Sequence, residues 1–247
     1  GYGGYQKPIS TTSEAAQNWF DRGIQLVYGF NHDAAVHAFA RAAQEDPECA
    51  MAWWGIAYSY GVDVNNPDVS ELEAQYANVA INEAIRLKEN TTPAELSLID
   101  AAAFRAVYPL PEDRTEIDLS YSQAMSRAWD AHQDDPDIGT MYAESLMNMQ
   151  RWDYWGADGE PLGNTEELLS ALENAMALNN FHPGANHFYI HAIEASKTPE
   201  KGIPSAERLK ELVPGSGHLV HMPSHIFVNV GRYADAVSAN QRAIEAD

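Results

Sequence analysis

The sequence is poor in cysteine and in positive charge, and each shortage excludes a class of function. Cys49 is the single cysteine, so no internal disulfide can form, and both reducing and oxidising compartments remain open. Lysine and arginine number 15 against 36 aspartate and glutamate residues, which gives a net charge of −21 at pH 7. Phosphate backbones and anionic lipids repel such a surface, so we expect no nucleic-acid partner.

Long apolar runs and the common catalytic motifs are also lacking. No stretch reaches the roughly 18 apolar residues of a bilayer-spanning helix, so we expect no membrane insertion. There is no phosphate-binding glycine loop and no nucleophile-elbow serine. Cys49 has no activating partner nearby in sequence and is expected to pack at a helix start. The chain begins with glycine, from either a removed signal peptide or an artificial start, and we expect an exported, periplasmic or extracellular protein.

Helical periodicity is what the chain has in abundance. Hydrophobic residues make up 45% of it, and Gly, Pro and Asp separate Ala-rich stretches of helical period. Thr92-Pro93-Ala94-Glu95 combines an N-cap, a proline at the first helical position and a capping-box glutamate. Asn164 with Glu167 repeats the cap pattern. The sequence therefore predicts an all-α fold, built mostly of helical hairpins.

One helical hairpin near the start carries a recognisable repeat. Its large, small and turn-forming residues are Trp19, Gly23, Ala35, Phe39, Ala42 and Pro47. Their order and spacing resemble the tetratricopeptide repeat family, in which small residues let two helices approach closely and proline ends the second. The resemblance implies an α-solenoid of about six hairpins over residues 13–247, after an N-terminal extension, 1–12. Because such arrays normally end in a polar capping helix, we expect the array to continue beyond 247.

Three stretches are similar to a bacterial group of tetratricopeptide proteins of poorly defined function. They are Phe30-Asn31-His32, residues 49–55 and residues 218–231. The likeness implies a fold and an exported location, but no reaction.

Six of the nine histidines lie between positions 182 and 225. His187 and His191 form one HxxxH pair, and His221 and His225 form a second. Residues i and i+4 share a face of a helix, which lets one helix offer two ligands to a metal ion. The repeat register puts both pairs at equivalent groove positions of consecutive inner helices, together with His218. These five histidines are therefore the predicted metal ligands, around one ion or two ions close together.

His182 and Glu194 are candidate further ligands. His182 precedes a proline and fits a helix-capping loop better, whereas Glu194 takes a groove position. Two groups of three histidines would resemble the dinuclear copper sites of tyrosinase-like proteins, in ligand count and spacing only. Pro223 interrupts the second HxxxH pair, either as a tolerated kink or as a device that aims His221 and His225 at a common point.

The remaining groove positions combine aromatic and polar residues. The predicted groove-lining set is Met51, Trp54, Tyr58, Glu144 and Asn148. Core packing explains aromatic residues at this spacing, but a groove wall of this kind would suit an apolar small molecule or a peptide. The long aromatic loop 151–164 either covers the groove as a lid or fills a gap between helices.

Two functions fit these patterns. The first is a metal-binding solenoid that uses copper or zinc, metals that imidazole ligands suit, with catalysis if one coordination position stays open. The second is a non-catalytic scaffold that binds an extended peptide or protein partner in the groove. Loss of a bound ion as the pH falls would favour the first.

Overall fold

The computed structural model describes residues 3–246, and thirteen α-helices and two short 3-10 helices make up its regular structure. Within this range the only β-type pairing is one isolated bridge between Trp155 and Pro161. No helix in the described range is both long enough and apolar enough to cross a membrane. The predicted all-α fold is confirmed.

The helices pair into six consecutive hairpins. They are α1 (Glu14–Tyr28) with α2 (His32–Glu45), α3 (Ala50–Ser59) with α4 (Glu71–Leu87), α5 (Pro93–Arg105) with α6 (Thr115–Ala131), α7 (Pro136–Met149) with α8 (Thr165–Leu178), α9 (Pro183–Ile193) with α10 (Ile203–Leu212), and α11 (Gly217–His221) plus α12 (Pro223–Asn229) with α13 (Tyr233–Ala246). The 3-10 turns are Lys88–Asn90 and Pro199–Gly202. The predicted number of hairpins is therefore confirmed.

Helices begin at both positions that the cap patterns predict. Thr92 accepts the backbone N–H of Glu95, and the Glu95 carboxylate accepts that of Thr92, so the capping box of α5 is confirmed. Asn164 is the N-cap residue of α8, as predicted, but its side chain accepts no backbone N–H. Cys49 is buried at the start of α3, where burial raises the thiol pKa to about 11 and keeps it unreactive.

The first helix of each hairpin faces inward. Helix α9 is buried along its whole length, and α3 is buried except at Trp53. A helix that is apolar on all sides is stable only inside a core. The inner layer is therefore the hydrophobic core of the molecule, and the second helices form its outer surface.

The array coils so tightly that its first hairpin contacts its fifth. Phe30, in the turn after α1, stacks on Phe188 of α9 with ring centroids 5.6 Å apart. The ring of Tyr28, at the end of α1, meets Phe188 edge-on at 6.3 Å. This closure removes the open concave groove that the repeat pattern predicts.

The structure places the five predicted groove-lining residues in the core. None is more than 5% exposed; they are Met51, Trp54, Tyr58, Glu144 and Asn148. The Tyr58 hydroxyl donates to Glu144 Oε2 at 3.0 Å, and Arg105 lies 3.5 Å from the same oxygen. These contacts are internal packing and ion pairing.

A buried ionic network fixes the N-terminal segment against the inner helices. Lys7 Nζ lies 3.1 Å from Asp135 Oδ2 and 3.2 Å from Asp137 Oδ2. Asp137 Oδ1 accepts the Tyr28 hydroxyl at 2.5 Å. Burial alone would raise the pKa of Asp137, but Lys7 and the hydrogen-bond donors around the carboxylate hold it well below its ordinary value.

Replacing Asp137 with Asn tests this network. We expect D137N to lower the free energy of unfolding by about 3–5 kcal/mol at pH 7, because Lys7 then loses a buried counter-charge. Since the folded-state pKa of Asp137 is strongly depressed, its contribution is complete above about pH 5 and is lost only as the pH falls below the ordinary Asp pKa of about 3.9, so the stability difference between the two proteins should begin to narrow below about pH 4. Urea unfolding across this range measures both effects.

The control is Asp100→Asn, at the exposed ion pair of Asp100 with Lys88. It should cost under about 1 kcal/mol. An equal loss in both variants would contradict the role assigned to the buried network.

Candidate metal centre

The two histidine pairs lie on neighbouring inner helices. His187 and His191 are on α9, His218 and His221 are on α11, and His225 is on α12. Helices α11 and α12 are two pieces of one interrupted helix, which breaks at Pro223. The proline has no N–H to donate to the carbonyl one turn earlier.

Three of the histidines converge. His187, His191 and His218 each place a ring nitrogen within 4.8 Å of the other two. The Nε2 atoms of His187 and His218 are 3.0 Å apart. His187 is fully buried and His191 is 4% exposed, so these two histidines are shielded from bulk water, whereas His218 is partly exposed.

The other two histidines form a pair beside this triad. The Nε2 atoms of His221 and His225 are 2.9 Å apart. The His225 ring centroid lies 5.8 Å from that of His191, and the His221 centroid lies 6.5 Å from that of His218. All five predicted histidines are thus brought together in one cluster.

Oxygen atoms behind the rings set the tautomers of two histidines. His187 Nδ1 lies 2.7 Å from the Tyr28 carbonyl, and His225 Nδ1 lies 2.5 Å from Glu194 Oε2. Because these oxygens only accept, each Nδ1 carries the proton and each Nε2 presents a bare lone pair, as in metal-binding histidines. His221 Nδ1 lies 2.5 Å from the Asn240 side-chain amide, which fits either tautomer of His221.

His191 is the anomaly of the cluster. Both its ring nitrogens are buried, and neither has a hydrogen-bond partner among the described residues. Its Nδ1 is 3.5 Å from Glu194 Oε1, a separation at which little hydrogen bonding remains. Buried polar atoms without partners are rare, because the cost of removing them from water is not offset. A cation bound by the triad would offset it.

The cluster favours neutral imidazoles. Burial lowers the pKa of His187 and of His191, and burial with the neighbouring imidazoles lowers that of His218 to about 3. Burial would raise the pKa of Glu194, but its contacts with His191 and His225 lower it to about 2. At neutral pH the triad therefore offers lone pairs, and the carboxylate beside it is charged.

Two strained aromatic residues flank the cluster. Phe30 (φ +55°) and Trp152 (φ +63°) are the non-glycine residues with positive φ in the described chain. The Phe30 ring centroid lies 4.6 Å from that of His187, and Trp152 meets His191 edge-on at 5.1 Å. Bulky side chains rarely adopt this backbone conformation, and such strain concentrates at functional sites. No pattern in the sequence indicates this strain.

The aromatic loop 151–164 both fills a gap and covers the cluster. Tyr154 is 2% exposed inside the core, and Trp155 Nε1 donates to the Ala192 carbonyl at 2.7 Å. Trp152 lies outside, half-exposed, over His191. Both interpretations of the loop therefore describe part of it.

His182 and Glu194 take different places. His182 caps α9: its Nδ1 accepts the Ala185 N–H at 3.0 Å, and its Nε2 donates to Asp137 at 3.2 Å. Because both ring nitrogens of His182 already form hydrogen bonds, neither is free to bind a metal ion, and His182 is not part of the cluster. Glu194 belongs to the cluster and accepts from His225.

A cleft of about 680 Å³ opens beside His218. Phe30, His32, Asp63 and Glu73 are among its lining residues, and no lysine or arginine lines it within the described chain. The cleft gives a molecule from solvent a route to the edge of the cluster.

Two solved structures share this architecture. TTC0263, a thermophilic tetratricopeptide repeat protein of Thermus thermophilus, superimposes with a TM-score of 0.50 at 17% identity, over 91% of this chain and 100% of that one. The chain has the tetratricopeptide repeat fold. The Cut9–Hcn1 hetero-tetramer gives a TM-score of 0.51 at 16% identity, over 96% of this chain and 40% of that one. The resemblance predicted from sequence is confirmed.

At these identities the tetratricopeptide likeness concerns the fold alone. No protein-family model and no curated protein matches the sequence. The histidine cluster therefore has to be interpreted from its own geometry.

The strain at Trp152 can be measured by comparing two substitutions. We expect Trp152→Gly to be more stable than Trp152→Ala by about 1 kcal/mol, since glycine adopts positive φ without steric cost. Thermal unfolding of both variants measures the difference.

Trp53, inside α3, supplies the matched control. There glycine should be less stable than alanine by about 1 kcal/mol. The same sign at both positions would mean that Trp152 stores no strain.

Proposed function

We propose that this chain is a metal-binding helical-repeat protein whose histidine cluster holds copper or zinc. The observation that carries the proposal is His191, inside a triad of imidazoles: its buried Nε2 has no hydrogen-bond partner among the described residues, and its buried Nδ1 has only the 3.5 Å contact with Glu194. A polar groove for peptide recognition would not need these nitrogens buried away from any partner.

The ligand chemistry supports this class of metal. Neutral imidazole suits zinc and copper, and copper stands highest in the usual affinity order. Zinc–nitrogen bonds of about 2.0–2.1 Å put two ligands of a tetrahedral ion roughly 3.3 Å apart. The Nε2 separations of 3.0 and 2.9 Å are close to that value.

We further propose that the site is open to a small molecule. Three imidazoles leave one position of a tetrahedral ion for water or substrate, the arrangement of catalytic rather than structural zinc sites. The cleft beside His218 supplies access, and its carboxylates favour a neutral or cationic substrate over an anionic one. On this proposal the protein is a metal-dependent enzyme.

A non-catalytic scaffold is the second candidate. The tetratricopeptide fold supports it, as does an exposed apolar face on α13 formed by Tyr233, Val237 and Ile244. Because the inner side is closed, a protein partner would bind this outer face instead of a concave groove. An exported location, which the sequence resemblance implies, is part of this proposal, and cell fractionation tests it.

Metal content decides between the two candidates. Elemental analysis of untagged protein, purified without chelator, should find at least about one equivalent of copper or zinc. The double variant His187→Ala/His221→Ala should lose it, because one ligand is removed from each HxxxH pair. No metal, and no uptake on titration, would leave the scaffold as the function.

The matched control is His37→Ala/His132→Ala, which removes two histidines that lie outside the cluster, on α2 and at the end of α6. This variant should keep the wild-type metal content. A comparable loss here would mean that the ion binds elsewhere.

Glu194 orients His225 through a hydrogen bond behind the ring. We expect Glu194→Gln to weaken metal affinity about 10–100-fold, the usual effect of losing such a carboxylate. Competition with a chromophoric chelator measures the change. Glu173→Gln is the control. Glu173 is likewise a carboxylate that accepts a hydrogen bond from an aromatic side chain, the Tyr189 hydroxyl on α9, but it lies away from the cluster. Equal affinity in both variants would contradict the role of Glu194.

A further inference from the structure

We infer that the cluster is a binuclear centre, with one ion on His187, His191 and His218 and a second on His221 and His225. This inference rests on the proposed metal binding and adds the number of ions and the division of the ligands. Both ions would be of the same class, a first-row transition metal that imidazole binds.

The ring nitrogens of the five histidines fall into two groups. His187, His191 and His218 each bring one ring nitrogen within 4.8 Å of the other two, and this group does not include His221 or His225. His221 and His225 instead bring their Nε2 atoms within 2.9 Å of each other. One tetrahedral ion takes four ligands, so it cannot use all five imidazoles.

The pair can hold a cation of its own. His225 turns Nδ1 toward the Glu194 carboxylate, so its Nε2 carries a bare lone pair, which faces His221 Nε2 at 2.9 Å. When the Asn240 amide accepts from His221 Nδ1 through its oxygen, His221 Nε2 is bare as well. Two facing lone pairs at this distance repel, and a cation bound by both of them, or a proton between them, removes the repulsion. An ion bound by the triad belongs to the other group of rings and does not separate these two nitrogens.

Glu194 lies where it can balance two ions. Its Oε2 is 2.5 Å from His225 Nδ1, and its Oε1 is 3.5 Å from His191 Nδ1. One carboxylate thus contacts a histidine of each group. Its negative charge reduces the mutual repulsion of two neighbouring cations, which dominate the electrostatics of such a site.

Burial and ligand number distinguish the two positions. Two of the three triad histidines, His187 and His191, are 0% and 4% exposed, whereas both histidines of the pair are partly exposed and the His225 side chain is 30% exposed. The triad also supplies three nitrogens and the pair only two. The triad ion is therefore expected to bind first and tightly, and the second to bind more weakly and exchange with solvent.

Titration of metal-free protein with Zn²⁺ tests the inference. The wild type should bind two equivalents in two steps, and His221→Ala/His225→Ala should keep the first step and lose the second. Both histidines are partly exposed, so this variant disturbs the core little, and circular dichroism checks that it is folded. With Cu²⁺, magnetic coupling between neighbouring ions should leave the paramagnetic resonance signal below the copper content.

The outcomes separate this inference from the proposal beneath it. One equivalent in the wild type would overturn the second ion and leave metal binding intact, with a proton shared by His221 and His225 in its place. Two equivalents in the pair variant would also overturn the assignment. No uptake by the wild type would remove both proposals.

Discussion

Tyr28 holds the closed array together, and the rest of the structure depends on it. Its hydroxyl donates to Asp137 at the start of α7, and its carbonyl accepts from His187 on α9. One residue at the end of α1 therefore links the ionic network to the histidine cluster. Because the hydroxyl is fully buried, burial and Asp137 raise its pKa well above the ordinary value, and it remains a donor.

The contact between the first and fifth hairpins changes what the side chains of the inner helices face. In an open coil their side chains would face a groove, but here they face one another, so polar residues such as Glu144 become internal ion-pair partners. Burial raises the pKa of Glu144 although Arg105 opposes this rise. The same enclosure makes the histidines of α9 poor bases and good ligands, because desolvation disfavours their charged form.

The parts of this molecule that follow local rules could be predicted from sequence. Six hairpins follow from helical period and repeat spacing. The i,i+4 spacing accounts for the closeness of His187 to His191 and of His221 to His225, but not for His218, whose ring meets His187 on another helix. The closed groove could not be predicted, because it depends on Phe30 and Tyr28 meeting a helix some 160 positions away. The capping role of His182 was only one of two open interpretations, since the choice depends on Asp137 being beside it.

The break at Pro223 makes the centre a coupled folding unit. Segments of five and seven residues are too short to persist as helices by themselves. They carry three of the five histidines, so on the proposed function a bound ion would help the backbone hydrogen bonds to keep these segments ordered. Ion binding and local unfolding of this segment would then be one linked equilibrium, and the rigidity of the sixth hairpin would depend on whether the site is loaded.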